Sequence, residues 1–136
     1  TVAHLFFQNE KKLITLSHEL ETAQQIQSFI LPGEGVDLEN LQVAARYVPM
    51  ASVAGDFYDF AKVDEKRLGI LVADVSGHGV PASLISSMVK IAFASNTIHA
   101  ANPSEVLVGI NKVLCGKLES DFVTAGYLYL DTEEKI

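Results

Sequence analysis

Apolar residues recur at helical spacing along the first thirty residues of the chain. No glycine or proline interrupts residues 2–31, and the apolar positions lie mostly three, four or seven apart: Leu5, Leu13, Leu16, Leu20, Ala23, Ile26 and Ile30. The pattern predicts one long helix with a narrow apolar seam, which ends at Pro32 and Gly33. A seam of about three to four heptads fits either a strut lying on the following domain or a two-stranded coiled coil between two copies of the chain.

The hydrophobic period changes to two after this break. Alternating or continuous apolar residues predict strands at 41–47, 57–60, 68–74 and 122–130. The segment 68–74 is apolar on both faces, so we expect a central strand, joined to 57–60 by a turn at residues 64–66. Helical spacing returns at 80–92 and, after an Asn102 N-cap, at 103–114. Strands and helices mixed in this order predict an α+β domain over residues 36–136, preceded by the helix of residues 1–32.

The last residues of the sequence predict that the sheet continues. Residues 131–135 are typical of a hairpin turn, and Ile136 would begin the returning strand. A long strand without that partner leaves backbone donors and acceptors unpaired. We therefore expect further residues of a longer parent protein, or another chain, to pair with the strand at 122–130.

Composition and charge narrow the class of partner. The 136 residues include 10 Lys and Arg against 17 Asp and Glu, a formal net charge of −7, which disfavours nucleic acid and anionic membranes and favours cations. A lone cysteine, Cys115, excludes a disulfide framework and a thiolate metal site. No apolar run approaches the roughly 20 residues of a membrane span, and no signal-peptide pattern opens the chain. We expect a single soluble, cytoplasmic domain.

Two aspartates occupy positions that packing does not explain. Asp56 precedes an aromatic-rich strand, and Asp74 ends the most apolar strand of the chain. An ionised carboxylate at the end of a buried strand is costly unless it is paired, hydrogen-bonded or bound to a cation. If the two strands are neighbours, Asp56 and Asp74 converge on a hard cation such as Mg²⁺ or Mn²⁺, with Asp59 as a third acid. The alternative is that Asp74 caps the following turn by accepting from the amides of residues 76 and 77.

Three sequence segments resemble a known family. They are VAGDFYDF at 53–60, ADVSGHGVPA at 73–82 and FVTA at 122–125. Together they are similar to the SpoIIE/RsbU-like branch of the bacterial metal-dependent PPM protein serine/threonine phosphatases. The segment ELETAQQIQ at 19–27, followed by Leu31 and Pro32, resembles the helix that precedes the catalytic domain in sensor-coupled members.

The resemblance implies a fold, a metal centre and a reaction. The fold would be a PPM-type α-β-β-α sandwich, truncated, with a binuclear Mg²⁺ or Mn²⁺ centre at one edge. By motif position Asp56 and Asp74 would be the first two carboxylate ligands, Asp74 bridging, and the backbone carbonyl of Val75 a further ligand. A metal-activated hydroxide would attack phosphoserine or phosphothreonine directly, without a catalytic side chain as nucleophile. The expected substrate is a phosphorylated anti-sigma-factor antagonist, in a stress-response or sporulation switch.

The resemblance also implies a regulatory role for the N-terminal helix. Ala23, Ile26 and Gln27 match the helix motif, and we expect the helix to transmit a state change from an upstream sensor or receiver domain by packing differently against the sheet that carries Asp56. A homodimer through this helix follows from the coiled-coil alternative.

For several other residues near the motifs, a structural role is the alternative to a functional one. His78 and Gly77 could lie in the second shell of the metal site, although His78 between two glycines is expected mainly to hold its loop. Arg46 could meet a substrate phosphate, but a salt bridge with a neighbouring acid is the simpler expectation. Thr124 is expected to serve its strand, with a cross-strand hydrogen bond near the site as the alternative.

Two departures from the family pattern limit the function of the chain. Ala54 stands where the family commonly has the first of two glycines, and the later metal-binding aspartates of the family would fall after residue 136. We therefore expect one metal ion or none in these 136 residues, and little or no activity from them alone. The rival hypothesis is a non-catalytic dimerisation or regulatory module with a degenerate phosphatase core.

Overall fold

The computed structural model describes residues 1–133 and contains the predicted helices and strands in the predicted order, with one additional strand after the first helix. Its described residues form three α-helices, five strands and one short 3-10 turn: α1 (Val2–Ile30), β1 (Gly35–Leu38), β2 (Leu41–Ala44), β3 (Phe57–Lys62), β4 (Arg67–Val75), α2 (Gly79–Ala94), the 3-10 turn (Thr97–His99), α3 (Pro103–Leu114) and β5 (Val123–Asp131). The returning strand predicted at Ile136 lies outside the described residues. Within residues 1–133 no helix is both long and apolar enough to cross a membrane.

Most of helix α1 extends away from the rest of the described chain. All residues from 1 to 22 are exposed, and the seam residues Leu13 and Leu16 are 66% and 54% exposed. Only Gln27, near the end of the helix, is buried. The strut alternative is therefore wrong for these first 22 residues, because no other part of residues 1–133 covers the seam there. Pairing of the seam with a second copy stays a prediction.

The strands form two antiparallel sheets. One has the order β3-β4-β5, so the apolar segment 68–74 is central as predicted. The other is a small ribbon of β1 and β2, and here the sequence prediction needs correction. The strand predicted at 41–47 ends at Ala44, and its partner β1 was not predicted, because Gly35 and Asp37 are poor strand formers. A Cβ on Gly35 would lie 2.4 Å from the carbonyl oxygen of Val43, so the pairing requires glycine there.

The main core lies between one face of the β3-β4-β5 sheet and helices α2 and α3. Side chains that alternate along β3 and β4 point into it and meet the apolar stripes of both helices: Phe57, Ala61, Leu71, Ala73, Val89, Phe93, Val106 and Ile110. The alternating residues between them face the other way, and Val72 and Leu128 on that face are 59% and 54% exposed. The sheet thus has one packed face and one open face, and Asp74 belongs to the open one.

Candidate metal centre

Strand pairing brings the two predicted aspartates together. In the β3-β4 register Phe57 lies opposite Ala73, so Asp56, one residue before β3, lies beside Asp74, one residue after Ala73. The pKa of Asp56 is raised, first by burial and then by the negative charge of Asp74. Two neighbouring carboxyl groups repel each other when both are ionised. A proton or a cation between the two carboxyl groups would relieve this repulsion.

Nothing in the described part of the chain neutralises this pair. Neither carboxylate forms an ion pair with a lysine, arginine or histidine among residues 1–133. Two carboxylates and nearby backbone carbonyls make an oxygen-only donor set, which suits Mg²⁺ or Mn²⁺ and not Zn²⁺. The residues present thus fit a hard divalent cation. They do not enclose one, because residues 1–133 contain no group of three or more His, Cys, Asp or Glu side chains at metal-binding spacing.

The turn after β4 is held without the side chain of Asp74. Ser76 donates its hydroxyl to Asp121 at 3.0 Å and accepts from the amide of Phe122 at 2.9 Å, which ties the turn to the start of β5. In the described chain Asp74 accepts no hydrogen bond from Ser76 or Gly77, so the turn-capping alternative is wrong and Asp121 serves the turn instead. Thr124 donates its hydroxyl to the backbone carbonyl of Asp74 at 3.3 Å, the cross-strand bond that the sequence left open. The Asp74 carboxylate remains available for other partners.

Gly55 allows the Asp56 loop to lie directly on the end of β4. A Cβ on Gly55 would lie 3.0 Å from the Cβ of Val75, 3.1 Å from the carbonyl oxygen of Val75 and 3.1 Å from the Cβ of Ala82. The close approach places Gly55, the residue before Asp56, against the carbonyl of Val75, the third ligand predicted from the family motif, and Asp56 and Val75 line the same small cavity. Ala54 does not have the positive φ that would favour glycine, so its methyl group is accepted without backbone strain.

The structure separates Asp59 from this pair, and the prediction of a third acid was wrong. Alternation along β3 turns Asp59 to the packed face, where it is 5% exposed. Its carboxylate accepts from the Lys90 ammonium of α2 at 2.5 Å and from the amide of Phe60 at 2.9 Å. Asp59 is therefore a buried ion-pair partner that connects β3 with α2.

Two cavities meet at Asp56 and Asp74. A small one of about 150 Å³ is also lined by Gly77 and His78. His78 is the N-cap residue of α2, and its side chain makes no capping hydrogen bond. Gly77 has φ +84°, a left-handed conformation that glycine adopts without strain. A larger cavity of about 440 Å³ on the other side is lined by Arg46. Among residues 1–133 Arg46 makes no ion pair, so the salt bridge expected for it is not formed.

Of the three helix residues singled out in the motif, Gln27 alone reaches the site. Its side-chain amide donates to the carbonyl of Ala54 at 2.5 Å and to the hydroxyl of Ser86 at 3.2 Å, and it accepts from the amide of Ala54 at 3.0 Å. Ile26 is 59% exposed, and Ala23 is half-buried. Gln27 thus connects α1 to the backbone two residues before Asp56.

Tyr47 is a residue of the site that the sequence pattern did not indicate. It lines the larger cavity together with both aspartates. The alternation of residues 41–47 had assigned it to a strand, and a single tyrosine in a connecting segment carries no motif that would have marked it.

The fold of this chain is that of a PP2C-type, or PPM-type, domain. The structure matches the SiaA-PP2C domain of Pseudomonas aeruginosa with a TM-score of 0.73 at 22% sequence identity, over 89% of this chain and 51% of that chain. The predicted fold class, an α+β domain of PPM type preceded by a long helix, is confirmed by this match. The likeness at this level of identity concerns the fold.

Sequence comparison gives the family. The family model described as Stage II sporulation protein E (SpoIIE) matches residues 64–136, more than half of the chain, and the chain belongs to this family. Phosphoserine phosphatase RsbU of Bacillus subtilis (strain 168) is 34% identical over 113 residues, which are 82% of this chain and 33% of that protein. Phosphoserine phosphatase RsbP of the same organism is 29% identical over 123 residues, 87% of this chain and 30% of that protein. The chain thus spans about a third of the length of these curated relatives.

Proposed function

We propose that the protein containing this chain is a metal-dependent phosphatase that hydrolyses phosphoserine or phosphothreonine on a regulatory protein, an anti-sigma-factor antagonist. The observation that carries the proposal is the strand pairing that places Asp56 beside Asp74, with no ion pair from a cationic side chain of residues 1–133 to neutralise either acid. The names of the relatives RsbU and RsbP support the reaction class. The acidic charge of the chain favours a cation as cofactor.

Asp56, Asp74 and the carbonyl of Val75 would hold the divalent ions in this proposal. When bound, Mg²⁺ or Mn²⁺ would lower the pKa of a water molecule and offset the negative charge of the phosphoryl oxygens. The chain's own contribution is to fix the positions of these ligands. Gly55, which has no side chain, allows the Asp56 loop to lie directly on β4. The hydrogen bonds of Ser76 hold the turn that follows Val75. Two carboxylates are too few for two ions, so we propose that residues 1–136 alone bind one ion or none and are inactive.

Regulation through α1 is the second part of the proposal. Gln27 makes hydrogen bonds to both backbone groups of Ala54, so a rotation or shift of α1 would move the loop that carries Asp56. The long exposed remainder of α1 offers its seam to a second copy of the chain or to an upstream sensor or receiver domain. Both arrangements would change the position of Gln27, and through it the metal ligands.

The test uses the full-length protein with a phosphoserine peptide and Mn²⁺. We expect Asp56→Asn and Asp74→Asn each to lower the hydrolysis rate at least about 100-fold, because each removes a charged ligand of the cations that activate the nucleophile. Asp37→Asn, the same change on an exposed residue of β1, is the matched control and should keep the wild-type rate.

Two results would contradict the proposal. Wild-type rates in both aspartate variants would show that the pair does not serve the reaction. Mn²⁺ binding without turnover in the wild-type protein would favour the rival function, a non-catalytic regulatory module, which the small number of acids in the described site also favours.

A further inference from the structure

Tyr47 carries a polar group whose place in the fold is unexplained. It lies in the connection between β2 and β3, and its hydroxyl oxygen is buried, with no hydrogen-bond partner among the described residues. Buried hydroxyl groups in folded proteins are almost always hydrogen-bonded, and one left unpaired costs free energy. The Tyr47 hydroxyl is therefore a hydrogen-bond donor that would find an acceptor only after a change in its surroundings, such as ligand binding.

The surroundings of this hydroxyl point to Asp56 as an acceptor. Tyr47 lines the cavity of about 440 Å³ that Asp56 and Asp74 also line. A phenol is a hydrogen-bond donor at neutral pH, and burial, and after it the negative charge of Asp56, raise the pKa of Tyr47. The carboxylate of Asp56 is thus close enough to act on Tyr47 electrostatically, although the two do not form a hydrogen bond in this arrangement.

A cation at the aspartate pair would change the partners of Asp56. In the structure Asp56 lies beside Asp74 at the ends of β3 and β4, and neither carboxylate forms an ion pair with a lysine, arginine or histidine among residues 1–133. A divalent ion held by the two carboxylates would leave lone pairs on Asp56 free to accept a hydrogen bond. Carboxylates that bind metal ions are usually held by such an outer hydrogen bond, which orients the ligand.

We propose that Tyr47 is a positioning residue for Asp56, and that its hydroxyl donates a hydrogen bond to the Asp56 carboxylate when this residue binds a divalent cation. The inference rests on the proposed metal centre and adds a residue that the family motif segments at 53–60, 73–82 and 122–125 do not include. It gives the buried hydroxyl of Tyr47, which a phenylalanine would lack, a role in the metal-bound state of the site.

The chain offers a matched control for this role. Tyr58 lines the same cavity, but its hydroxyl lies 3.5 Å from the carbonyl of Gly33, an acceptor outside the aspartate pair. Both Tyr47→Phe and Tyr58→Phe remove one hydroxyl and keep the ring. In the full-length protein, Mn²⁺ affinity would be measured by the electron paramagnetic resonance signal of the free ion, without any substrate.

We expect Tyr47→Phe to weaken Mn²⁺ binding about 10- to 100-fold, the usual effect of losing an outer-shell partner. Tyr58→Phe should leave the affinity unchanged. In EDTA the melting temperature of Tyr47→Phe should equal or exceed that of the wild type, because the substitution removes a buried hydroxyl that has no partner among residues 1–133 of the ion-free protein. A role limited to folding would give the opposite pattern, lower stability in EDTA and unchanged affinity.

Several outcomes would overturn the inference. Wild-type Mn²⁺ affinity in Tyr47→Phe contradicts it, and so does a change confined to the KM of a phosphopeptide, which would assign the hydroxyl to the substrate. If Asp56→Asn and Tyr47→Phe both bind Mn²⁺ like the wild type, the metal pair itself is wrong and the proposed function fails with it. If only Asp56→Asn weakens binding, the metal centre stands and the role of Tyr47 alone is refuted.

Discussion

Two acidic regions flank the same strand pair, and the fold treats them in opposite ways. Asp59, on the packed face of β3, is buried against Lys90 of α2 at 2.5 Å. Asp56 and Asp74 lie side by side where β3 begins and β4 ends, a place we call the open edge, and no lysine or arginine among residues 1–133 pairs with them. An acid that has its counter-ion within the fold is complete, whereas an acid pair without one needs a partner from outside. This difference separates a structural aspartate from a candidate ligand more clearly than sequence position does.

The largest expected effect comes from removing the counter-ion on the packed side. Lys90→Met leaves the Asp59 carboxylate buried without a partner, and we expect a loss of about 3 kcal/mol of unfolding free energy, near the lower end for broken buried pairs because Lys90 is partly exposed. Urea denaturation would measure it. Lys62→Met, which breaks the exposed pair with Glu65, is the control and should cost about 0–1 kcal/mol. Equal losses in the two variants would remove the distinction between the two regions.

A smaller effect is expected from the connection between the open edge and α1. Gln27→Ala removes the partners of both backbone groups of Ala54, and we expect a loss of about 1–3 kcal/mol in unfolding free energy because those groups are partly buried. In the full-length protein the same variant should weaken Mn²⁺ binding, since the Asp56 loop loses its support. Gln25→Ala, an exposed position two residues earlier on α1, is the control. A stability loss without any change in Mn²⁺ affinity would show that α1 is anchored at the site but does not influence it.

The sequence predicted the aspartates at the strand ends, Asp56 and Asp74, better than Asp59 on the packed face. Asp56 and Asp74 were indicated because acids at strand ends are costly, and an antiparallel pairing of β3 with β4 brings the start of one strand to the end of the other. Asp59 was misplaced because Lys90 is 31 positions further along the chain, and only the packing of α2 on the sheet brings them together. The hydrogen bonds of Gln27 and the buried hydroxyl of Tyr47 also depend on tertiary contacts, which hydrophobic periodicity does not predict.

The smallest effect expected is the pH dependence of stability at the open edge. Burial and the negative charge of Asp74 raise the pKa of Asp56 above its ordinary value of 3.8, so the folded protein holds this proton more tightly than the unfolded chain. The resulting stability is complete below pH 3.8 and is lost as the pH rises through the folded pKa.

In EDTA, the wild-type melting temperature should therefore fall over this window relative to that of Asp56→Asn, which cannot titrate there. Asp37→Asn, which leaves the pair intact, should keep the wild-type profile. Saturating Mn²⁺ should abolish the difference in slope, because a cation offsets the repulsion between Asp56 and Asp74 at every pH at which it binds. Identical pH profiles for the wild type and Asp56→Asn would mean that the two carboxyl groups do not interact in solution, and the contrast with the Asp59 ion pair would then lose its physical basis.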